Sequence, residues 1–168
     1  MTVLMPTYQN TQTCMGAIVS LIKYTEFPLK VLVVNNDPAP ASRLFFDGVV
    51  ETTDYKDLAV LHAESNKGWM GAVNLGMERV DTPLVCMMND DVLFPPNSKE
   101  FWRVMVRHLG GQVAAVGPSS NFVMGRQSIF DLSVPPALEV KFLIGFCMVL
   151  RTDVFREVGL LDETLPGG

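Results

Sequence analysis

Short, wholly apolar runs alternate along this chain with longer segments of helical spacing. Val3-Leu4-Met5 is the first run, and Pro6-Thr7-Tyr8 stops it. Asn10 or Thr11 can cap a helix that continues to about Tyr24, with Met15, Ile18, Val19 and Ile22 on one face. Leu29 to Val34 is a valine-rich run ended by Asn35-Asn36-Asp37-Pro38. Residues 37–42 read as a loop, residues 43–50 as a weak helix, and Leu58 to His62 as a third strand. After the turn Asn66-Lys67-Gly68, Trp69 to Val80 has helical spacing at Val73, Met77 and Val80. Leu84 to Met88 is a fourth apolar strand, followed at once by Asn89-Asp90-Asp91. Ser98 can cap a helix carrying Phe101, Met105 and Leu109 at fourfold spacing. Gln112 to Val116 reads as a fifth strand, 118–136 as loop with a hairpin, Phe142 to Leu150 as strand, and Thr152-Asp153 as the start of a short helix. Apolar strands alternating with amphipathic helices predict an α/β fold, a mostly parallel sheet with helices on both faces.

Polar residues fall at informative places. Thr7-Tyr8, Asn35-Asn36-Asp37 and Asn89-Asp90-Asp91 each follow directly on an apolar strand. In an open α/β sheet the carboxyl ends of the strands form the crevice where ligands bind. Parallel strands therefore bring these clusters to one rim, and the Asn66-Lys67-Gly68 turn reaches the same edge. Asn, Asp and Gly are also ordinary turn residues, and that reading suffices for Asn35-Asn36-Asp37 alone. The pair Asp90-Asp91 is harder to explain so: adjacent carboxylates repel, and the next basic residue is Lys99. A divalent cation would neutralise them, and Mg²⁺ or Mn²⁺ prefers one or two carboxylates completed by substrate phosphate oxygens.

Composition narrows the choice further. The 168 residues are 48% hydrophobic and only 18% charged, which predicts one globular domain over 1–168 rather than a disordered chain. Thirteen Lys and Arg against 18 Asp and Glu give a net charge of −5, which argues against a nucleic-acid surface. Three widely separated cysteines without CxxC spacing read as buried reduced thiols of a cytoplasmic protein. The longest apolar run, Phe142 to Leu150, is about half the ~20 residues of a membrane helix. No GxxxxGK[ST], GxGxxG or GxSxG motif occurs.

Taken in order, Met5-Pro6-Thr7-Tyr8, Val33-Val34-Asn35-Asn36, the stretch from Asn66-Lys67-Gly68 to Gly76, and Met88-Asn89-Asp90-Asp91-Val92 resemble family 2 glycosyltransferases of the GT-A fold. Gly145-Phe146-Cys147-Met148 and Val158 to Glu163 extend the likeness, which is nearest to the rhamnosyltransferase-like group. The resemblance implies an inverting transferase that moves a sugar from a nucleotide-diphosphate donor to a glycan or lipid-linked acceptor, with Mn²⁺ or Mg²⁺. It places Thr7, Tyr8 and Asn35 at the base pocket, Asn66 and Gly68 against base and ribose, and Pro6 among the nucleotide-sugar-binding residues. Asn89 and Asp90 then lie in the position of the DxD motif, and Asp91 is the metal-proximal carboxylate. Two residues depart from the pattern. Asn35 stands where the family usually has Asp, and Asn89 where the motif usually begins with Asp.

The family's catalytic base follows a Gly-rich stretch matching Pro166-Gly167-Gly168, so the resemblance implies a base past Gly168 and a chain that lacks most of its acceptor part. Asp162 and Glu163 match the structural Asp-Glu of the family. Two other functions compete: a metal-dependent nucleotidyltransferase and a non-catalytic binding or assembly module. The first would carry a glycine-rich basic loop after the first strand, and Pro6 to Asn10 is neither. A lipid-linked acceptor would bring the protein to the inner membrane face, although no basic amphipathic helix supports such an association.

Overall fold

The computed structural model describes residues 1–121, 125–129 and 137–165. Its strands are β1 (Thr2–Thr7), β2 (Lys30–Asn35), β3 (Leu58–His62), β4 (Leu84–Met88), β5 (Ala115–Val116) and β6 (Cys147–Arg151). Its helices are α1 (Thr11–Tyr24), α2 (Pro40–Thr52), α3 (Gly68–Met77), α4 (Phe101–Val106) and α5 (Asp153–Val158), with a 3₁₀ turn at Gly125–Gln127. The strands form one sheet in the order β3-β2-β1-β4-β6-β5. β1, β2, β3 and β4 run parallel.

Both faces of the central strands are covered, which is why their sequences are apolar throughout rather than alternating. Val3, Met5, Val31, Val33, Cys86 and Met88 face a core closed by Cys14, Ala17, Ile18 and Leu21 of α1, Phe46 of α2, and Trp102 and Met105 of α4. Leu4, Leu32, Val34, Val85 and Met87 face the opposite core, closed by Ala72, Val73 and Met77 of α3. Trp102 is fully buried, and its ring nitrogen donates to Thr25 Oγ1 at 3.1 Å. α3 crosses from β3 over β2 and β1 to β4, and it can lie so close because of Gly76. A Cβ there would fall into Leu4 Cδ1 and within 2.9 Å of Val34 Cγ2. A mid-helix glycine costs about 1 kcal/mol relative to alanine, and the close approach explains its presence here.

Several expectations need correction. The sheet is mostly parallel, as expected, but which strands depart from that was not foreseen: β6 runs antiparallel to β4, with Cys147 opposite Met88 and Arg151 opposite Leu84, and β5 is antiparallel to β6. An all-apolar strand has the same composition in either direction, so its pattern carried no sign of this. β6 begins only at Cys147, and Phe142 is exposed. β5 is shortened because Gly110 and Val113 pair across a tight turn, with Gly110 and Gly111 at φ of 138° and 55°. α2 is longer than 43–50 because Pro40, whose fixed φ suits the first helical turn, starts it. α4 spans less than Ser98 to Leu109, since its end tightens into bonds such as His108 N to Met105 O at 3.2 Å. α1 buries Cys14, Ala17, Ile18, Ser20 and Leu21, whereas Val19 is exposed. Asn10 occupies the position before α1 without a capping side-chain bond. The hairpin expected within 118–136 lies largely outside the described residues.

Gly76→Ala should destabilise the protein by about 1–3 kcal/mol through overpacking, despite the better helix propensity of alanine. Chemical denaturation would show a lower midpoint with an unchanged slope.

Candidate functional site

The parallel strands end on one rim in register, with Thr7 opposite Asn35 and Asn35 opposite His62. The sheet order reverses between β1 and β4, because successive strands build outward from β1 on one side and β4 opens the other. β1 pairs with β2 from Thr2 to Thr7 but with β4 only from Thr2 to Leu4. Pro6, buried and without an N–H to donate, sits where this second ladder has stopped. This is the switch point of the sheet, the place where open α/β sheets bind ligands. Thr7 spans it, donating from Oγ1 to Asp90 Oδ2 at 2.6 Å. On the far side, the Asn89 N–H donates to Phe146 O at 2.8 Å, so the tip of β4 is fixed to the approach of β6.

Burial pushes the Asp90 carboxyl above its ordinary range, and the neighbouring charge of Asp91 adds to that push. Bonds from Thr7 and from Asn10 act in the opposite direction. Asp91 is exposed. Among the described residues no Lys, Arg or His forms an ion pair with either carboxylate. The described residues also contain no cluster of three or more His, Cys, Asp or Glu that could hold a metal unaided. Two hard carboxylate donors suit a hard divalent cation whose remaining ligands come from phosphate and water, and Asp91 would be its protein ligand. Cys14 lies behind Thr7 and is no nucleophile: burial, then the Asp90 charge, raises its thiol to about 12. Cys86 and Cys147 are buried free thiols with sulfurs 3.7 Å apart.

The turn after β3 forms the other side of the rim. Gly68 has φ of 68°, the left-handed region open to glycine, and its N–H donates to Asn66 Oδ1 at 2.9 Å. Tyr8 stands 42% exposed beside Gln9, whose amide donates to the phenol at 3.2 Å. Thr7, Tyr8, Asn66, Gly68, Asn89, Asp90 and Asp91 thus gather on one edge.

Asn35, which the resemblance implied for the base pocket, ends β2 with its polar groups engaged within the fold. Its side chain is fully buried and turned away from solvent. Asn35 Oδ1 accepts from the Asp37 N–H at 3.2 Å and from Ser42 Oγ at 3.0 Å. Its Nδ2 lies 3.1 Å from His62 Nδ1. Since a backbone N–H identifies the oxygen, the nitrogen must donate, and His62 Nδ1 accepts. The His62 proton then sits on Nε2 and points at Asp47 Oδ1, 2.9 Å away.

Three contributors lay outside the predicted set: Asn36, Asn10 and His62. Asn36 stood within a cluster that turn chemistry explains equally well. Asn10 was visible only as a helix cap, and nothing in the spacing connects His62 with Asn35. Asp162 and Glu163 are both engaged structurally. Asp162 accepts from the Thr164 N–H and hydroxyl at 3.0 and 2.7 Å, which hold its carboxyl below the ordinary range. Asn74 of α3 donates to Glu163 Oε1 at 2.8 Å and to Leu161 O at 2.9 Å.

Known proteins provide an independent comparison. The chain is similar to a mannosyltransferase from Pyrobaculum calidifontis, PcManGT, solved in complex with GDP-Man and Mn²⁺, with 16% identity and a TM-score of 0.73 over 98% of this chain and 48% of that one. It is also similar to S. aureus TarS 1–349, with 18% identity and a TM-score of 0.73 over 99% of this chain and 51% of the other. The same TarS fragment with UDP-GlcNAc gives 20% identity and a TM-score of 0.67, covering 94% and 46%. This chain thus spans about half the length of these structures, and it shares their GT-A architecture. No curated protein matches it in sequence. The model for glycosyl transferase family 2 matches residues 2–159. A match that opens in β1 and closes just past α5 takes in every strand of the sheet, and the chain belongs to glycosyl transferase family 2.

Proposed function

We propose that the rim binds a nucleotide-diphosphate sugar with Mn²⁺ or Mg²⁺ and presents the sugar for transfer, with inversion, to a glycan or lipid-linked acceptor. The observation that carries this reading is the pair Asp90-Asp91, unpaired with any cation among the described residues, at the point where the sheet order reverses. The resident metal of PcManGT supports the choice of cation. In this reading Tyr8, Asn66 and Gly68 receive the nucleoside end, and Asn35 shapes the pocket from behind. Thr7 fixes the rotamer of Asp90, and Asp91 anchors the cation. A bound divalent cation would supply Lewis-acid stabilisation of the charge that develops on the departing diphosphate. An acceptor hydroxyl, deprotonated by a base, attacks the anomeric carbon from the face opposite the diphosphate; the sugar–phosphate bond breaks and the diphosphate leaves with its electron pair. Asp162 and Glu163, held by Thr164 and Asn74, are not assigned as that base. Transfer takes place where nucleotide sugars are made, in the cytoplasm.

A thermal-shift panel of UDP, GDP, CDP and dTDP, each with and without Mn²⁺, tests the donor site. One nucleotide should raise the melting temperature only with metal, by about 5–10 °C at a hundredfold excess over Kd. Asp91→Ala should remove the shift without lowering the ligand-free melting temperature, since it also removes a like charge beside Asp90. A cooperative melt with no shift for any nucleotide would refute the reading and favour a binding module.

Asp90→Asn should likewise lose metal-dependent nucleotide binding, yet stabilise the free protein. A carboxyl raised above its ordinary range contributes stability that is present at low pH and lost as pH rises through the raised value. The variant should therefore match the wild type in acid and melt about 1–2 °C higher at neutral pH, a small difference because solvent screens half of the group. Melting curves from pH 3 to 8 would reveal the divergence.

A further inference from the structure

The adjacent asparagines at the tip of β2 serve opposite sides of the rim. Asn35 is spent on β3 and α2, whereas Asn36 reaches the turn that follows β3. Asn36 is 3% exposed, and its amide makes three bonds to that turn. Its Oδ1 accepts from the Lys67 N–H at 2.9 Å. Its Nδ2 donates to Gly68 O at 3.1 Å and to Asn66 Oδ1 at 2.8 Å. Backbone groups force this orientation: an N–H identifies the oxygen end and a carbonyl identifies the nitrogen end. Asn66 Oδ1 also takes the Gly68 N–H, so one amide organises a second.

The main chain of Asn36 looks the other way. Its N–H donates to Thr7 O at 2.9 Å, and Thr7 is the residue that holds Asp90. A continuous path of hydrogen bonds thus runs from the Asn66–Gly68 turn through Asn36 and Thr7 to the acidic pair. We propose that Asn36 is a positioning residue that holds the Asn66–Gly68 turn at a fixed spacing from Asp90 and Asp91, so that the nucleoside and diphosphate ends of one donor bind together. The inference rests on reading the rim as a donor site, and deepens it. Asn36 is buried and acts through the groups it holds. Two binding subsites joined rigidly at the right spacing give a molecule spanning both more affinity than either part alone, and loosening the joint removes that gain while each subsite persists.

Asn36→Asp isolates this role. It keeps size and the acceptor for Lys67, but turns two donations into contacts between oxygens. Two readouts test it. Amide hydrogen exchange at Lys67 and Gly68 in the ligand-free protein should speed up at Gly68 by tenfold or more, about the effect of one lost hydrogen bond. Titrations with UDP, GDP, CDP and dTDP in Mn²⁺ should show at least a tenfold loss for whichever nucleotide binds the wild type, again about one bond's worth. Affinity for Mn²⁺ with inorganic pyrophosphate should stay within about twofold, since Asp91 is untouched. A general loosening of the fold would weaken both ligands alike and would overturn the proposal, as would unchanged nucleotide affinity and unchanged exchange. Asn36→Ala, which leaves the exposed turn to water without adding a charge, carries the same readouts should the aspartate variant not fold. Wild-type protein that binds none of the four nucleotides refutes the donor-site reading itself; wild-type binding that Asn36→Asp leaves intact refutes only the role given to Asn36.

Discussion

The hydrogen bond from Thr7 to Asp90 spans the gap between two strands that have stopped pairing. Everything at the rim is arranged around that gap. Pro6 helps to end the β1–β4 ladder, the reversal of strand order leaves no helix crossing above it, and Asn89 is tied to Phe146 on the outer side. A carboxylate here is partly desolvated and pays for it in free energy. Thr7 and Asn10 offset part of that cost by hydrogen bonding, but like charge on Asp91 adds to it. Under the proposed function, a bound cation would offset that repulsion.

The sheet beneath supplies the rigidity that such a site needs. Both cores close against the central strands, the polar groups that enter the first one are hydrogen-bonded, as Trp102 is to Thr25, and α3 lies directly upon Leu4 and Val34. The first turn of that helix carries Gly68, so the helix that Gly76 lets lie close to the sheet begins at the rim. Asn74 of the same helix holds Leu161 and Glu163. One helix thus connects the Asn66–Gly68 side of the rim with the Leu161–Glu163 segment.

Much of this was legible in the sequence, for a physical reason. A strand buried on both faces must be apolar throughout, so Leu84 to Met88 was delimited to the residue, and at the edge of the sheet the apolar run of Leu58 to His62 between turn residues sufficed. The polar residues that follow such strands cannot be mistaken for core, which brought Thr7, Asn66 and Asp90-Asp91 to one edge on paper. Side-chain orientation was not legible. Asn35 and Asn36 are chemically identical neighbours, and only the backbone groups around them decide that one faces His62 and the other Lys67. The direction of β6 was hidden likewise, because strand polarity is set by the path of the preceding connection.

That connection leaves the sheet after Val116 and re-enters at Cys147, two residues from where Val149 pairs with Val116. Its two stems are already clamped together: Gln127 donates to Pro118 O at 3.0 Å and accepts from the Ile144 N–H at 2.7 Å. A segment whose ends are held side by side can change length or composition at little entropic cost and without disturbing the strands. Evolution, or an engineer, can exchange it as a cassette. The strands that it joins, β5 and β6, would keep their pairing through such an exchange.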